Sequence, residues 1–275
     1  AHAGKVDYDR PTIFVANHPN TMMDALIVGY AVRKRLYFVA KSTIFANRFS
    51  SWFLTKAGGV PIYRKQDAPS KTIQNVEVFE KLYDFLEAGR PFLIFPEGIS
   101  MPDRRLHRIK TGTARIALGI EERNDFELGV QIVPVGLNYS DFESSRSNVY
   151  CRFGRPILPA DYREDYLDDP VKTVNKLTEE IRSSMEHLIT SVGEDEFGSV
   201  VAALETVYKK ELMIDLGMDT KSEKDDFFIT KGIIDAVQWL HNYHPRWARR
   251  LGEELRKYLR TLDRLHLRAD FLSPK

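Results

Sequence analysis

Residues 12–24 of the 275-residue chain read TIFVANHPNTMMD, an apolar run followed by a histidine and, six positions later, a carboxylate. The run from Thr12 to Ala16 is rich in β-branched and aromatic side chains, and this pattern predicts a buried strand. His18 and Asp24 follow the end of that strand. Because ligands bind at the carboxyl ends of strands in open α/β sheets, we expect a functional site here.

The alternation of apolar strands and amphipathic helices continues for about 160 residues, which predicts an α/β domain over residues 1–160. Further strands are predicted at 36–40, 60–63, 91–95, 130–137 and 148–153. Helices are predicted at 24–33, 71–88 and 112–120, where apolar residues recur three and four positions apart. The apolar face of the first helix is assigned to Leu26, Ile27 and Tyr30.

The chain changes character after residue 160, where helical patterns replace the strand patterns. Asp169 and Pro170 predict the start of a long helix. A second helix is predicted to begin near Ser199, and two more lie between 225 and 267, separated near Pro245. We expect residues 161–275 to form a helical region packed on the α/β domain, with a small separate bundle as the alternative.

The composition is that of a folded globular protein, with 43% apolar and 29% charged residues. This excludes a disordered or collagen-like chain. The single cysteine, Cys151, excludes an intrachain disulfide and lies in a strand pattern, which favours a core role over a nucleophilic one. The net charge of +1 hides a division, because residues 1–160 carry 22 basic and 16 acidic side chains while 161–226 carry 8 and 18.

The stretch from 25 to 66 holds eight basic residues and no acidic one. Such a surface attracts phosphates, acidic carrier proteins, nucleic acid or anionic lipid head groups. An ordinary solvated basic face is an equally good interpretation. The sequence contains no run of 18 apolar residues and no signal-peptide pattern at its start.

Four short segments carry residues that are expensive to bury or rigid, and they occur in a fixed order. They are His18 to Asp24, GVPIYR at 59–64, FPEG at 95–98 and IVPV at 132–135. In order and spacing they resemble the four sequence blocks of the PlsC-type glycerolipid acyltransferases, which include glycerol-3-phosphate and 1-acylglycerol-3-phosphate acyltransferases. The FPEG segment, followed by KTGTAR at 110–115, is the most specific part. The resemblance covers about residues 11–160 and implies a central mixed sheet flanked by helices.

The resemblance also implies a role for each matching residue. His18 is similar to the family's general base, and Asp24 to the carboxylate that orients it. Arg64 is similar to the residue that binds the acceptor phosphate, for which a guanidinium is suited by its paired N–H donors. The other candidates are Lys41, Arg105 and Lys110 for the acceptor phosphate, Glu97 and Gly98 for shaping the acceptor site, and Pro134 for the acyl or donor side.

The sequence departs from the family pattern at two points. Five residues separate His18 from Asp24, where most of the family has four, so Asp24 could instead cap the following helix. Ile99 and Ser100 follow Gly98, where many lysophosphatidate enzymes have Thr-Arg. The acceptor is therefore left open between glycerol 3-phosphate and 1-acylglycerol 3-phosphate, with Arg105 and its neighbour Arg104 as substitutes for the missing charge.

The implied reaction is direct transfer of a fatty acyl group from a thioester to the acceptor hydroxyl. Acyl-CoA or acyl-ACP is the expected co-substrate, so an acyl carrier protein is a candidate partner, and no cofactor, metal or nucleic acid is expected. An acyl chain also requires an apolar groove, and an early cluster of apolar residues either forms this groove or belongs to the core. The cluster consists of Met22, Met23, Phe45, Phe49, Trp52, Phe53 and Leu54. We expect the protein to lie peripherally on the cytoplasmic side of a membrane. Whether a longer natural chain has membrane segments is left open.

Other classes of function are less well supported by the sequence. The Gly-x-Ser-x-Gly of α/β hydrolases and the nucleotide-binding glycine motifs are absent. A metal site from His18, Asp24 and His107 lacks the usual ligand spacing. The main alternative is a basic module that binds a membrane surface or an anionic ligand without catalysis, using 25–66 and the tail 243–268. That tail predicts an amphipathic basic helix, either at a membrane or with its charged face in solvent.

Overall fold

The computed structural model describes residues 6–32, 34–45, 47–56, 58–62, 74–139, 148–190 and 196–267. The chain divides into two compact units. The first contains Ala1–Leu137 and Cys151–Ile189, and the second contains Asn138–Tyr150 and Thr190–Lys275. The sequence-based division at residue 160 therefore falls inside the first unit. Packing of residues 161–275 on the α/β domain stays a prediction.

A six-stranded sheet forms the centre of the first unit within the described residues. Its strands are β1 Thr12–Ala16, β2 Tyr37–Lys41, β3 Gly59–Ile62, β4 Phe92–Ile94, β5 Gln131–Tyr139 and β6 Val149–Phe153. Their order across the sheet is β3-β2-β4-β1-β5-β6. The four strand pairs from β3 to β5 are parallel. Ile132 of β5 forms an antiparallel bridge with Ile157, which follows β6 in the chain. The predicted α/β class with a mixed sheet is confirmed.

Helices cover the sheet, and this explains why its central strands are apolar on both faces. The helices of this unit are α1 Thr21–Val32, α2 Arg48–Lys56, α3 Gln74–Glu87, α4 Gly112–Arg123, α5 Arg163–Asp168 and α6 Pro170–Glu186. Ile13 and Phe92 of the strands are fully buried with Leu82 of α3, Ile120 of α4 and Leu177 of α6. This continuous core fixes the strand ends that carry the site.

Helix α1 buries a different face from the predicted one. Val28 and Val32 are buried, whereas Leu26 is 56% exposed and Tyr30 is 89% exposed. The prediction that Leu26 and Tyr30 lie on the side of the helix that packs against the domain was therefore wrong. Because the helix is apolar on nearly every side, the periodicity of its sequence could not indicate which face is buried. In the structure, buried Asp24 lies on the same side of the helix as Val28, and this side faces the interior.

The second unit contains three long helices in its described residues, α7 Glu196–Asp215, α8 Glu223–Tyr243 and α9 Pro245–Arg264. The Ser222 hydroxyl caps α8 by accepting a hydrogen bond from the Asp225 amide. Apolar side chains of all three helices share one core. Ala248, Leu255 and Leu262 form the buried side of α9, whereas the aromatic residues Trp247 and Tyr258 lie on its exposed side. In the described part of the chain, no helix has the length and hydropathy needed to cross a bilayer.

Candidate active site

The carboxyl ends of two neighbouring strands bring the predicted histidine and glutamate together. Strand β1 pairs with β4 so that Val15 lies opposite Ile94. The residues that follow the two strands, up to His18 and Glu97, therefore leave the same edge of the sheet. The backbone N–H of His18 donates a hydrogen bond of 3.1 Å to Oε1 of Glu97. This contact joins the first and third sequence blocks.

Asp24 reaches His18 despite the five-residue spacing. Nδ1 of His18 lies 2.9 Å from Oδ2 of Asp24, and the Asp24 side chain is fully buried. The same oxygen accepts a hydrogen bond of 2.7 Å from the backbone N–H of Asn20. Thr21 has a positive φ of 41°, and its amide donates to Oγ of Ser100 at 3.1 Å. The left-handed backbone at Thr21 lies at the start of α1, and the first turn of this helix carries Asp24 to the imidazole.

The imidazole of His18 is held in one orientation. Its ring stacks on that of Phe95, with centroids 3.8 Å apart and an angle of 13° between the planes. The side chain is 18% exposed, and His18 lines a large cavity. Since Nδ1 faces Asp24, the second ring nitrogen is the one available to a reactant in that cavity.

Glu97 holds the main chain of the site. The side chain is 5% exposed, and its second oxygen accepts a hydrogen bond of 3.0 Å from the His107 amide. Burial raises the pKa of the Glu97 carboxyl, and the two backbone hydrogen bonds oppose this shift. One carboxylate therefore joins the His18 backbone to the loop that leads to α4. The role of Glu97 in shaping the acceptor site stays a prediction.

Gly98 makes room for a lysine ammonium. Its φ is +68°, and a Cβ at this position would lie 2.6 Å from Nζ of Lys110. The Lys110 amide donates to the Pro96 carbonyl oxygen at 2.9 Å. Lys110 lines the cavity together with His18 and Gly98. A side chain at position 98 would displace a cation from the site.

The cavity has a volume of about 1090 Å³ and combines apolar walls with cations. Apolar side chains reach it from α1, β2, α2 and α3, among them Leu26, Phe38, Leu54 and Phe79. The described lining includes no carboxylate and five basic side chains, which are Lys34, Arg35, Lys56, Lys110 and Arg115. Such walls suit a ligand with an anionic head and an apolar tail.

Four predicted site residues lie outside the described residues or outside the described cavity wall. Arg64 and the side chain of Lys41 lie outside the described residues. Arg105 and Pro134 are not in the described cavity wall. Arg105 instead lies near Asp103, with 3.7 Å between Nη2 and Oδ2, and buried Pro134 accepts a hydrogen bond from the Gly154 amide. The roles assigned to these four residues stay predictions.

The early apolar cluster is divided between two places. Met22 and Leu54 line the large cavity. Phe45 and Trp52 line a separate, shallower depression with Arg48 and Lys56, and Met23 lies exposed on α1. The side chains of Phe49 and Phe53 lie outside the described residues. The large cavity therefore takes most of its apolar wall from residues outside this predicted cluster.

Sequence reasoning also missed four of the cavity cations and a second histidine–aspartate pair. Lys34, Arg35 and Lys56 belong to the stretch without acidic residues, which was the available signal, and Arg115 follows Lys110 by five positions. Nε2 of His107 lies 2.9 Å from Oδ2 of Asp103, but neither residue is in the described cavity wall. Among the described residues, no group of three His, Cys, Asp or Glu side chains is placed to hold a metal ion.

Cys151 is buried in β6, and burial raises the pKa of its thiol to about 12. A thiol with this pKa is almost entirely neutral at pH 7, so it is a poor nucleophile. The predicted core role agrees with this burial.

A half-buried histidine held by a carboxylate, with its second nitrogen facing a cavity, is typical of enzymes that activate a hydroxyl for attack. Residues 3–138 match the family model described as Acyltransferase, and through this segment the chain belongs to that family of enzymes. The match ends at residue 138 and so contains His18, Asp24, Glu97 and Lys110.

Curated relatives carry names from the same family. Glycerol-3-phosphate O-acyltransferase 2 of Saccharomyces cerevisiae is 33% identical over 51% of this chain and 19% of its own length. The 1-acyl-sn-glycerol-3-phosphate acyltransferase of Streptococcus pneumoniae is 29% identical over 60% of this chain and 57% of its own length. The chain therefore corresponds to only part of each of these relatives. The crystal structure of the 1-acyl-sn-glycerophosphate acyltransferase PlsC from Thermotoga maritima is 20% identical over 68% of both chains, with a TM-score of 0.46.

Proposed function

We propose that the protein transfers a fatty acyl group from a thioester, acyl-CoA or acyl-ACP, to a hydroxyl of glycerol 3-phosphate or 1-acylglycerol 3-phosphate. One observation supports this most directly. The His18–Asp24 pair opens into the same cavity whose walls are apolar and whose charged lining residues are all basic. The names of the two curated relatives contain these two acceptors. The proposed reaction is a step of phospholipid biosynthesis.

In the proposed mechanism, the second ring nitrogen of His18 takes the proton of the acceptor hydroxyl as its oxygen attacks the thioester carbon. Asp24 stabilises the imidazolium and holds the ring against rotation. The tetrahedral oxyanion collapses, the carbon–sulfur bond breaks, and His18 returns the proton to the departing thiolate. The products are the ester and the free thiol, and no acyl-enzyme forms. A general base of this kind contributes about 10²–10⁴ in rate.

The proposed substrates divide the cavity by chemistry. The acyl chain lies along the apolar walls, and the phosphate lies near Lys110, with Arg64 as a further proposed contact. Lys34 is already engaged, because its Nζ donates to the Tyr8 carbonyl oxygen at 2.6 Å. The Lys110 ammonium lies close to Gly98, and Gly98 directly follows Glu97, which holds the His18 backbone. A phosphate bound there would bring the acceptor hydroxyl toward the imidazole.

We also propose that the protein acts at a membrane surface as a peripheral enzyme. The exposed side of α1, called here the apolar face, consists of Met22, Met23, Leu26 and Tyr30. Met22, Leu26 and Tyr30 also line the cavity. Apolar side chains at a cavity mouth, with basic residues nearby, favour contact with an anionic lipid surface and entry of an acyl substrate from it.

The test is His18→Ala in an acyl-transfer assay with both acceptors and with both acyl-CoA and acyl-ACP. We expect wild type to use at least one acceptor–donor pair and His18→Ala to lose about 10²–10⁴ in kcat. His107→Ala is the matched control, since His107 is also about one-fifth exposed and paired with an aspartate but lies outside the described cavity wall. No transfer by wild type to any acceptor would refute the enzyme proposal. Equal activity of His18→Ala and wild type would refute the role of His18 as the general base.

A further inference from the structure

The turn between α8 and α9 of the second unit carries a group of exposed aromatic side chains. Helix α8 ends at Tyr243 and α9 begins at Pro245, so His244 alone joins the two helices. Trp239, Tyr243 and Trp247 are each more than half exposed. These three residues are called here the aromatic tip. Large apolar side chains grouped on a protein surface indicate an interaction site, whereas isolated ones do not.

Ring contacts hold the aromatic tip in place on its α8 side. The Trp239 ring lies 5.8 Å from the Tyr243 ring and 5.2 Å from the His244 ring, measured between centroids. The Trp247 amide donates a hydrogen bond of 2.9 Å to the His244 carbonyl oxygen, in the first turn of α9. The tip therefore presents apolar rings with polar N–H and O–H edges without first having to order a loop.

Three arginines lie beside the aromatic tip in the first two turns of α9. Arg246, Arg249 and Arg250 are exposed, and residues 236–252 contain no acidic side chain. Within the part of the chain that the structure describes, none of these arginines forms an ion pair with a carboxylate. Their guanidinium groups are therefore available to an external anion, and phosphate oxygens match their paired N–H donors.

The leucines of α9 are not available for the same contact. Leu255 and Leu262 are buried, and Leu251 and Leu259 pack against the core that α9 shares with α7 and α8. A free amphipathic helix inserts its apolar face into a bilayer, but this helix already uses that face inside the folded unit. Contact with a membrane is therefore left to the exposed aromatic and basic residues at the start of α9.

We infer that the aromatic tip and the three arginines beside it dock on the head-group layer of an anionic membrane. Tryptophan and tyrosine are enriched at this depth, because their rings are apolar while their polar edges reach water. The arginines complement the negative surface potential of such a membrane. This surface belongs to the second unit, consists of other residues than the apolar face of α1, and goes beyond the proposed function because docking needs no catalysis.

The test measures co-sedimentation of the full chain with vesicles that contain about 30 mol% anionic lipid. Arg246→Gln/Arg249→Gln/Arg250→Gln should bind these vesicles about a hundredfold more weakly than wild type, since each cation near such a surface contributes about fivefold. Because all three side chains are exposed, the variant should melt near the temperature of wild type. Binding within about threefold of wild type would overturn the inference.

The matched control removes the same charge from the other end of the same helix. Lys257, Arg260 and Arg264 are also exposed on α9, and Lys257→Gln/Arg260→Gln/Arg264→Gln should keep vesicle binding within about threefold of wild type. Equal losses in the two triple variants would show that the positive charge of the whole helix attracts the membrane. That result would overturn docking through the tip.

The aromatic contribution is tested by a second, independent pair of variants. Trp247→Ala should weaken vesicle binding about tenfold, because the indole no longer enters the head-group layer. Tyr258→Ala is the control, since Tyr258 is also an exposed aromatic residue of α9 and lies about three turns further along. Equal binding by Trp247→Ala and wild type would remove the aromatic tip from the docking surface.

Further comparisons separate this docking from the other proposals. In the Leu26→Ser/Tyr30→Ser background, at lipid concentrations where that protein still binds, neutralising the three arginines should weaken vesicle binding further. No further loss would assign all docking to the apolar face of α1 and overturn the inference. A single-stranded oligonucleotide that displaces the vesicles from wild type, but not from Trp247→Ala, would assign the tip to nucleic acid instead.

Catalysis and docking are measured separately. Acyl transfer to glycerol 3-phosphate without vesicles should be equal in wild type and in Trp247→Ala. If wild type transfers no acyl group but the tip variants lose vesicle binding, the docking surface stands and the enzyme proposal fails. If wild type is active and the tip variants bind vesicles as wild type does, the docking surface fails and the enzyme proposal stands.

Discussion

The chemistry proposed for this protein depends on a single buried carboxylate. Oδ2 of Asp24 lies near both the His18 ring and the Asn20 amide, so it holds the turn and the imidazole together. A carboxylate in this position keeps the proton on Nδ1 and leaves the other nitrogen free to act as a base. The five-residue spacing does not prevent this, because Nδ1 of His18 lies 2.9 Å from Oδ2 of Asp24.

Asp24→Asn should therefore fold and bind substrates but transfer acyl groups poorly. The amide removes the negative charge that stabilises the imidazolium, and it can hold the wrong tautomer. We expect kcat to fall by about 10²–10⁴ with acceptor KM changed by less than about threefold, measured by steady-state kinetics at pH 7. A kcat near that of wild type would assign Asp24 to capping of α1 alone.

Much of the residue-level site could be predicted from the sequence, but its cavity could not. His18, Asp24, Glu97 and Lys110 follow strand ends or lie in family-like blocks, so a one-dimensional pattern identifies them. Arg115 lies in the same KTGTAR segment as Lys110, but the resemblance assigns it no role, and an arginine in a helix resembles any solvated side chain. Its place in the wall depends on how α4 is rotated against the sheet, which only tertiary packing decides.

At the scale of elements, the strands were predicted to within one or two residues, since short apolar runs between turn residues specify them well. The 3₁₀ helix Ser42–Phe45 and the short helices α2 and α5 were missed. Elements of this length contain too few turns for a periodic pattern. The wrong face of α1 has another cause, because a helix that is apolar on every side gives periodicity nothing to select.

The rotation of α1 can be tested with two truncations on the same helix. Val28→Ala should destabilise the protein by about 2 kcal/mol, since Val28 is fully buried and its loss leaves a cavity. Leu26→Ala should change stability by less than about 0.5 kcal/mol, because Leu26 is exposed and lines the ligand cavity. Urea unfolding measures both, and the reverse order would contradict the orientation described above.

Another element-scale prediction concerns the junction between α4 and β5. Glu121 is fully buried at the end of α4, and its Oε1 accepts a hydrogen bond of 2.5 Å from the Val130 amide. Burial raises the pKa of the Glu121 carboxyl above its ordinary value. The folded state therefore binds this proton more tightly than the unfolded state does, and the favourable contribution is lost as pH rises through the raised pKa.

Glu121→Gln should consequently gain stability relative to wild type as the pH is raised from 4 to 7. The neutral amide still offers an oxygen to Val130 and avoids burying a negative charge. Glu122→Gln is the control, since Glu122 is the exposed neighbour on the same helix, and its effect should vary little with pH. Chemical unfolding at several pH values measures the difference, and a gain that is larger at pH 4 than at pH 7 would contradict the burial argument.

At the scale of the whole molecule, charge is distributed unevenly along the chain. The net charge of +1 says little, because the acidic excess at 161–226 offsets the basic excess of residues 1–160. The basic residues 34, 35, 56, 110 and 115 line the cavity, where an anionic substrate is proposed to bind. The basic helix α9 belongs to the second unit, and its arginines have no assigned role in the reaction.

Membrane association provides the test at this scale. Leu26→Ser/Tyr30→Ser removes the two most exposed side chains of the apolar face, and we expect binding to vesicles with 30 mol% anionic lipid to weaken about tenfold or more. Leu167→Ser/Val171→Ser is the matched control, because both side chains are apolar and strongly exposed on the same unit but lie away from the described cavity wall. Its vesicle binding, measured by co-sedimentation, should stay within about twofold of wild type.

If both double variants lose binding equally, general surface hydrophobicity and not the apolar face mediates the contact. If neither loses it, the first unit does not dock through α1, and charge reversal on α9 becomes the next comparison.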